Sequence, residues 1–187
     1  MLRDMQREVA EFCEAKGWRE EPIAWGEAMA LLHTEIAEAS DAWRRWGTKD
    51  ATEPDRSIHL QLARQEDPAV LPKPEGVGSE FADVFIRLLD DADLWGWDLE
   101  AAANQVGLFG LYDTFLENTN ALHTLVGRLS SAGDGAAIFG GAEELAGAVL
   151  VLLRQLSECY GIDLLAEYER KMAYNRTRPY KHGGKRR

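Results

Sequence analysis

Apolar residues recur at intervals of three and four along most of this chain, and no stretch alternates with a period of two. That rhythm predicts helices and no strands. The first helix is expected over roughly 2–16, ending at Gly17, and the second over roughly 24–46, stopping at Gly47. Residues 48–78 hold Pro54, Pro68, Pro72, Pro74, Gly76 and Gly78 and read as a long connection with a short helix near Ser57–Gln65. Ser79 is the expected N-cap of a helix over 80–95. Further helices are expected over 99–130, with a break near Gly107–Gly110, then over 142–159 and 163–175. Residues 130–141, SSAGDGAAIFGG, read as a turn. Long helices joined by loops predict an all-α, antiparallel helical bundle, taken as a single domain over 1–187.

A weak internal repeat runs through the pattern. Leu32-His33-Thr34 returns as Leu122-His123-Thr124, and Trp95-Gly96-Trp97-Asp98-Leu99 as Tyr160-Gly161-Ile162-Asp163-Leu164. Extending the two registers sets Glu35 against Leu125, Glu38 against Arg128, Glu80 against Leu145 and Asp83 against Ala148. A duplicated origin would make the chain a pseudo-dimer with one site, drawing acids from one half and bases from the other.

Two words break the amphipathic pattern. They are Glu35-Ile36-Ala37-Glu38 and Glu80-Phe81-Ala82-Asp83. Residues three apart share a helix face, so each word presents a carboxylate pair. On a helical wheel Glu35 falls inside the apolar arc of its helix, between Leu31 and Leu32. Glu38 falls at the edge of that arc, Glu80 flanks the apolar face of its own helix, and Asp83 lies further round. A border of solvated charge is common on such helices. An acid turned toward a core, however, calls for a cation. An all-oxygen set suits Mg²⁺, with Mn²⁺ as a substitute. His33 and His59 lack the spacing of di-iron ligands, and neither Cys13 nor Cys159 has a metal-binding partner nearby. No Ser–His–Asp or Cys–His set can be drawn, which leaves water as the nucleophile and Glu35 or Glu38 as its base.

Charge sharpens this picture. The net charge of −11 argues against general nucleic-acid binding. Residues 170–187 nevertheless hold eight of the 21 Lys and Arg and no acid, while the other 169 residues hold 13 basic and 32 acidic side chains. An acidic body beside a basic tail, 176–187, suits a metal-bound phosphate compound. Contacts of that tail are expected to go largely to the ligand. No apolar run is long enough for a membrane, the opening MLRDMQREVAEF reads as an amphipathic helix, and two cysteines make no disulfide framework. A cytoplasmic setting is expected.

ExxE, ExxD and then Lys171-x-x-x-Asn175-x-x-Arg178 followed by HGG resemble the MazG-like branch of the all-α nucleoside triphosphate pyrophosphatases. The resemblance covers 25–46, 79–99 and 163–184. It implies Mg²⁺-dependent hydrolysis of (deoxy)nucleoside triphosphates to a monophosphate and pyrophosphate, in a role that sanitises the nucleotide pool, with dUTPase- or dCTPase-like activity in range. It places the metal on Glu35, Glu38, Glu80 and Asp83 and the phosphates on Lys171, Asn175 and Arg178. The 41 residues between the two acidic words exceed the family's usual short connection, and monomer and homodimer both stay open. The alternative is a catalytically silent nucleotide-binding or sensing module. Trp18, Trp25, Trp43, Trp46, Tyr174 and Tyr180 are candidates to stack on a base, and Gln6 and Asn104 to read its edge.

Overall fold

The structure is a computed structural model and describes residues 1–47, 73–133 and 141–184. Every element among them is helical: α1 (Leu2–Ala15), α2 (Trp25–Trp46), α3 (Val77–Trp95), α4 (Leu99–Asn104), α5 (Phe115–Gly133), α6 (Ala142–Cys159), α7 (Leu164–Thr177) and the short α8 (Lys181–Gly184). The all-α bundle expected from periodicity is what forms. Most of the 48–78 connection, including the helix expected near Ser57–Gln65, lies outside the described residues.

Two helix boundaries differ from expectation, and one expected break is longer. The helix expected from residue 80 begins at Val77, with Gly76 at its N-cap. Ser79 therefore lies inside the first turn, where its hydroxyl donates to the Pro74 carbonyl at 2.9 Å. The break expected near Gly107–Gly110 forms and is longer, 105–114, so that two helices cover the span expected over 99–130. Side-chain amides hold that link in place of a helical ladder. Gln155 pairs with both backbone groups of Phe109, and Asn118 with both of Tyr112. The α5 helix then runs on to Gly133, into the expected turn.

The core is one continuous cluster with Leu32, Ile36, Phe81, Phe85, Leu122 and Leu150 fully buried. Each such side chain contributes about 1.5–3 kcal/mol on leaving water. The α2 helix packs on α3 and α5, α3 also on α1, α6 and α7, and α6 on α4 and α5. Trp25 at the start of α2 donates to Ser130 O near the end of α5, and Trp43 near the end of α2 stacks on Phe115 at the start of α5. These two helices are thus antiparallel. His33 and His123 meet between them, stacked, with Nδ1 to Nδ1 at 2.8 Å.

The two repeated segments close their helices in the same way. Gly96 and Gly161 take φ of 71° and 69°, a region open to glycine at little cost. Trp97 N–H donates to Ala92 O, and Ile162 N–H to Ser157 O, both at 2.8 Å. Asp98 and Asp163 then cap α4 and α7 through Ala101 N–H and Ala166 N–H. The packing is crossed: α7 lies on α3, and α4 lies on α6. Among the described residues no single helix is long and apolar enough to cross a membrane.

Two predictions test this packing. A Cβ at Gly147 on α6 would lie 2.7 Å from the Ala102 carbonyl carbon on α4. Gly147→Ala should cost about 1–3 kcal/mol in urea unfolding, and an unchanged midpoint would contradict the close approach. Burial holds His33 and His123 below the usual imidazole range, with the neighbouring His33 charge adding to the effect on His123. A depressed imidazole destabilises the fold only once protons bind the unfolded chain preferentially. Stability should therefore fall as pH drops through about 6.5. Between pH 7.5 and 5.5 the wild type should lose more stability than His123→Asn, and equal losses would rule the pair out as the cause.

Candidate functional site

A cavity of about 330 Å³ opens where α2, α3, α7 and the end of α1 meet. All four acids singled out in the sequence line it, and so do Lys171, Asn175 and Arg178. The inward angle of Glu35 is real, since that residue is buried, as is Glu80, while Glu38 is exposed at the rim.

The four acids do not act alike. One carboxylate oxygen from each of Glu35, Glu38 and Glu80 lies within 4.8 Å of the others, a spacing that a single hard cation can bridge. Asp83 instead accepts from Lys171 Nζ at 2.6 Å. The structure thus gathers three of the four expected carboxylates and holds the fourth beside them in an ion pair. The cause is the crossing of α3 by α7, which brings a buried lysine against the second acidic word. Lys171 also donates to Ser79 Oγ at 2.7 Å, so Ser79 orients the site's cation and does not cap the helix. A second internal cation escaped the sequence reading. Arg87 lies one turn beyond Asp83 and donates from Nε to Glu35 Oε1 at 2.6 Å.

Electrostatics follow from this geometry. Burial pushes the Glu80 carboxyl up to about 7, with Lys171 opposing and Asp83 and Glu38 reinforcing. Burial also raises Glu35 against the pull of Arg87. Burial works against the charge of Lys171, but Asp83, Glu80 and Glu35 outweigh it and hold the ammonium above its ordinary range. The donor set is hard, anionic and partly buried, and it fits Mg²⁺ or Mn²⁺ better than a softer ion. Asn175 is buried with its Oδ1 unpartnered, at the same mouth.

The tail is more tightly held than expected. Lys16 Nζ donates to Arg176 O at 2.8 Å and also to Arg178 O, Lys181 N–H donates to Lys16 O, and Tyr180 OH donates to Glu20. Residues 176–181 are thus fastened to the end of α1 and the turn after it. The Arg178 guanidinium sits 5.9 Å over the Tyr174 ring, at the cavity. Of the proposed stacking residues, Trp18 and Tyr174 line the cavity. Trp25 packs on Trp95 and Trp97, Trp43 on Phe115, and Arg45 lies over Trp46. Gln6 donates from Nε2 to Trp97 O, away from the cavity lining, and Asn104 is an exposed residue at the end of α4.

Where the repeat sets a partner for each acid, Leu125, Leu145 and Ala148 are buried and Arg128 is exposed. Compared with models of known protein families, with curated proteins and with solved structures, the chain matches none.

A carboxyl titrating near 7 must lose its proton to hold a cation. Mn²⁺ affinity, followed by electron spin resonance, should therefore rise between pH 6 and 8, with proton release on binding. Glu80→Gln should flatten that slope, and a slope that survives the substitution would assign the proton elsewhere.

Proposed function

We propose that this chain is a Mg²⁺-dependent pyrophosphohydrolase of nucleoside triphosphates, of the MazG-like kind its motifs resemble. One observation carries the reading: three carboxylates from two helices gather within 4.8 Å beside Lys171, Asn175 and Arg178 from a third segment. That arrangement pairs a divalent-cation site with donors for phosphate oxygens, Lys as a point charge and Arg as a planar fork. Mg²⁺ on Glu35, Glu38 and Glu80 would supply neutralisation of phosphate charge and acidification of water.

The chain's own groups divide the remaining work. Glu35 is tied to Arg87, whereas Glu38 stands at the rim with no bonded cation among the described residues. This favours Glu38 as the base that takes the proton of attacking water. Arg87 can turn from Glu35 to phosphate oxygens once Glu35 is engaged, beside the ammonium of Lys171. The reading includes an internally duplicated pseudo-dimer in which α7 of the second half serves the acids of the first, and a cytoplasmic setting with Cys13 and Cys159 as thiols. A second reading, a silent nucleotide-binding module, draws on the guanidinium already seated on Glu35.

A panel of deoxynucleoside triphosphates with Mg²⁺ separates the two by pyrophosphate release. Glu38→Gln should lower kcat by about 100-fold or more while the protein stays folded. Full turnover in that variant would remove the proposed site, and nucleotide binding with no release from any substrate would favour the silent module. Mg²⁺ should also raise the wild-type melting temperature by mass action.

A further inference from the structure

Lys16, the residue after α1, bonds to the tail through both its side chain and its backbone. Its Nζ donates to Arg176 O at 2.8 Å and to Arg178 O, and its own carbonyl accepts from Lys181 N–H at 3.1 Å. One residue on, Gly17 has φ of 75°, and a Cβ there would collide with the Tyr180 ring. The Tyr180 hydroxyl donates to Glu20, and Lys181 Nζ meets Glu20 Oε2 at 2.6 Å. Lys16, Gly17 and Glu20 thus form a clasp on the chain at 176–181.

These bonds fall where a helix ends. The α7 helix stops at Thr177, and Pro179 favours the extended backbone that Arg178 adopts, with φ of −69° and ψ of 145°. The last turn of a helix leaves carbonyls without helical partners, at the negative end of its dipole. An ammonium supplied from another helix meets both needs, and one of the carbonyls it holds belongs to Arg178 itself. Among the cations that line the cavity, Arg87 and Lys171 are already engaged by Glu35 and Asp83. The Arg178 guanidinium lies 5.9 Å over the Tyr174 ring and forms no ion pair among the described residues. Residues 1–24 lie outside the stretches that carry the family resemblance, so the clasp belongs to this chain's N-terminal segment and not to the motif.

We propose that Lys16 is a positioning residue: by holding the Arg178 backbone against the end of α1, it aims the guanidinium at phosphate oxygens in the cavity. The inference rests on the nucleotide reading above and adds to that site a residue that acts through Arg178. A guanidinium is a planar fork, and its paired contacts with phosphate depend on direction. Mounted on a fixed backbone, it has only its side chain to order on binding, whereas a loose segment would also lose backbone freedom and with it affinity. Lys16 itself does not line the cavity. Its effect on a ligand there must pass through the segment it holds or through space, and the two routes separate on removal of Arg178. A through-space effect of the Lys16 charge survives that removal, and a positioning effect does not.

The test is a double-mutant cycle on the binding of inorganic pyrophosphate in Mg²⁺, followed by calorimetry. Arg178→Met should weaken binding about tenfold or more, and Lys16→Met about fivefold. The double variant should bind like Arg178→Met alone, to within about twofold. Lys16→Arg, which keeps a cation for the helix carbonyls, should keep most of the affinity. Should Lys16→Met fail to fold, Tyr180→Ala puts the same question from the other side of the clasp. Binding that Lys16→Met leaves unchanged, a loss of the same size with and without Arg178, or no pyrophosphate binding by the wild type would overturn the positioning role. Pyrophosphate release from deoxynucleoside triphosphates is read in parallel. Coupled losses without release keep the positioning role and remove the hydrolase, and release with uncoupled losses does the reverse.

Discussion

Negative charge confined to the seam between α2 and α3 is the constraint around which this bundle is arranged. Glu35 and Glu80 are buried there, with Asp83 beside them. Buried carboxylates are tolerated when neutralised by a proton, a cationic side chain or a metal ion, and this molecule uses at least two of the three. Glu80 is pushed toward its protonated form, Glu35 has the guanidinium of Arg87, and Asp83 has the ammonium of Lys171. The last of these also decides tertiary structure. Lys171 is 4% exposed and bonds to both Asp83 and Ser79, so a polar contact at the site fastens α7 across α3. Groups that hold the fold together are here the same groups that would meet a ligand.

The second half of the chain meets no such constraint. Its helices close with the same glycine and aspartate caps, yet Leu145, Ala148, Leu152 and Leu156 stand where α3 has Glu80, Asp83, Arg87 and Asp91. On the duplicated reading, loss of one site lets α6 contribute ordinary apolar burial. That contribution offsets the cost of keeping charge inside the other half. The link 105–114 fits the same division of labour. The first half's segment after Asp98 is helical for only six residues, whereas the second half's runs 14 residues and delivers Lys171 and Asn175.

Periodicity made the bundle legible because its helices bury one face each, as the arcs around Leu32 and Ile36 or Phe81 and Phe85 show. It also exposed Glu35, whose place inside an apolar arc is a local, angular fact. What depends on another element was not legible. Ser79 looks like a cap because a cap is a local motif, and only the arrival of Lys171 gives it a different task. Arg87 looks like one more solvated charge until α2 is set against α3. Asp91 hides in the run Asp90-Asp91-Ala92-Asp93, where the outer two pair with Arg19 from beyond α1 and the inner one turns inward. Nothing within the run itself distinguishes them.

Two internal cations on the acids change what binding must mean at this site. If the site were bare, a divalent ion would simply fill it. On the proposed reading, a divalent ion on Glu35, Glu38 and Glu80 would compete with Arg87 for Glu35, beside the Lys171–Asp83 pair, and would leave displaced positive charge to be satisfied. Phosphate oxygens are suited to satisfy it, because a planar guanidinium and a point-charge ammonium match them well. On that reading the ion would free the guanidinium, and the phosphates would make the ion easier to admit. Such mutual dependence is a coupling free energy and is reciprocal. On the proposed reading it would disfavour either component alone and favour the complex of both, and discrimination for a polyphosphate would then lie in the pairing of Arg87 with Glu35.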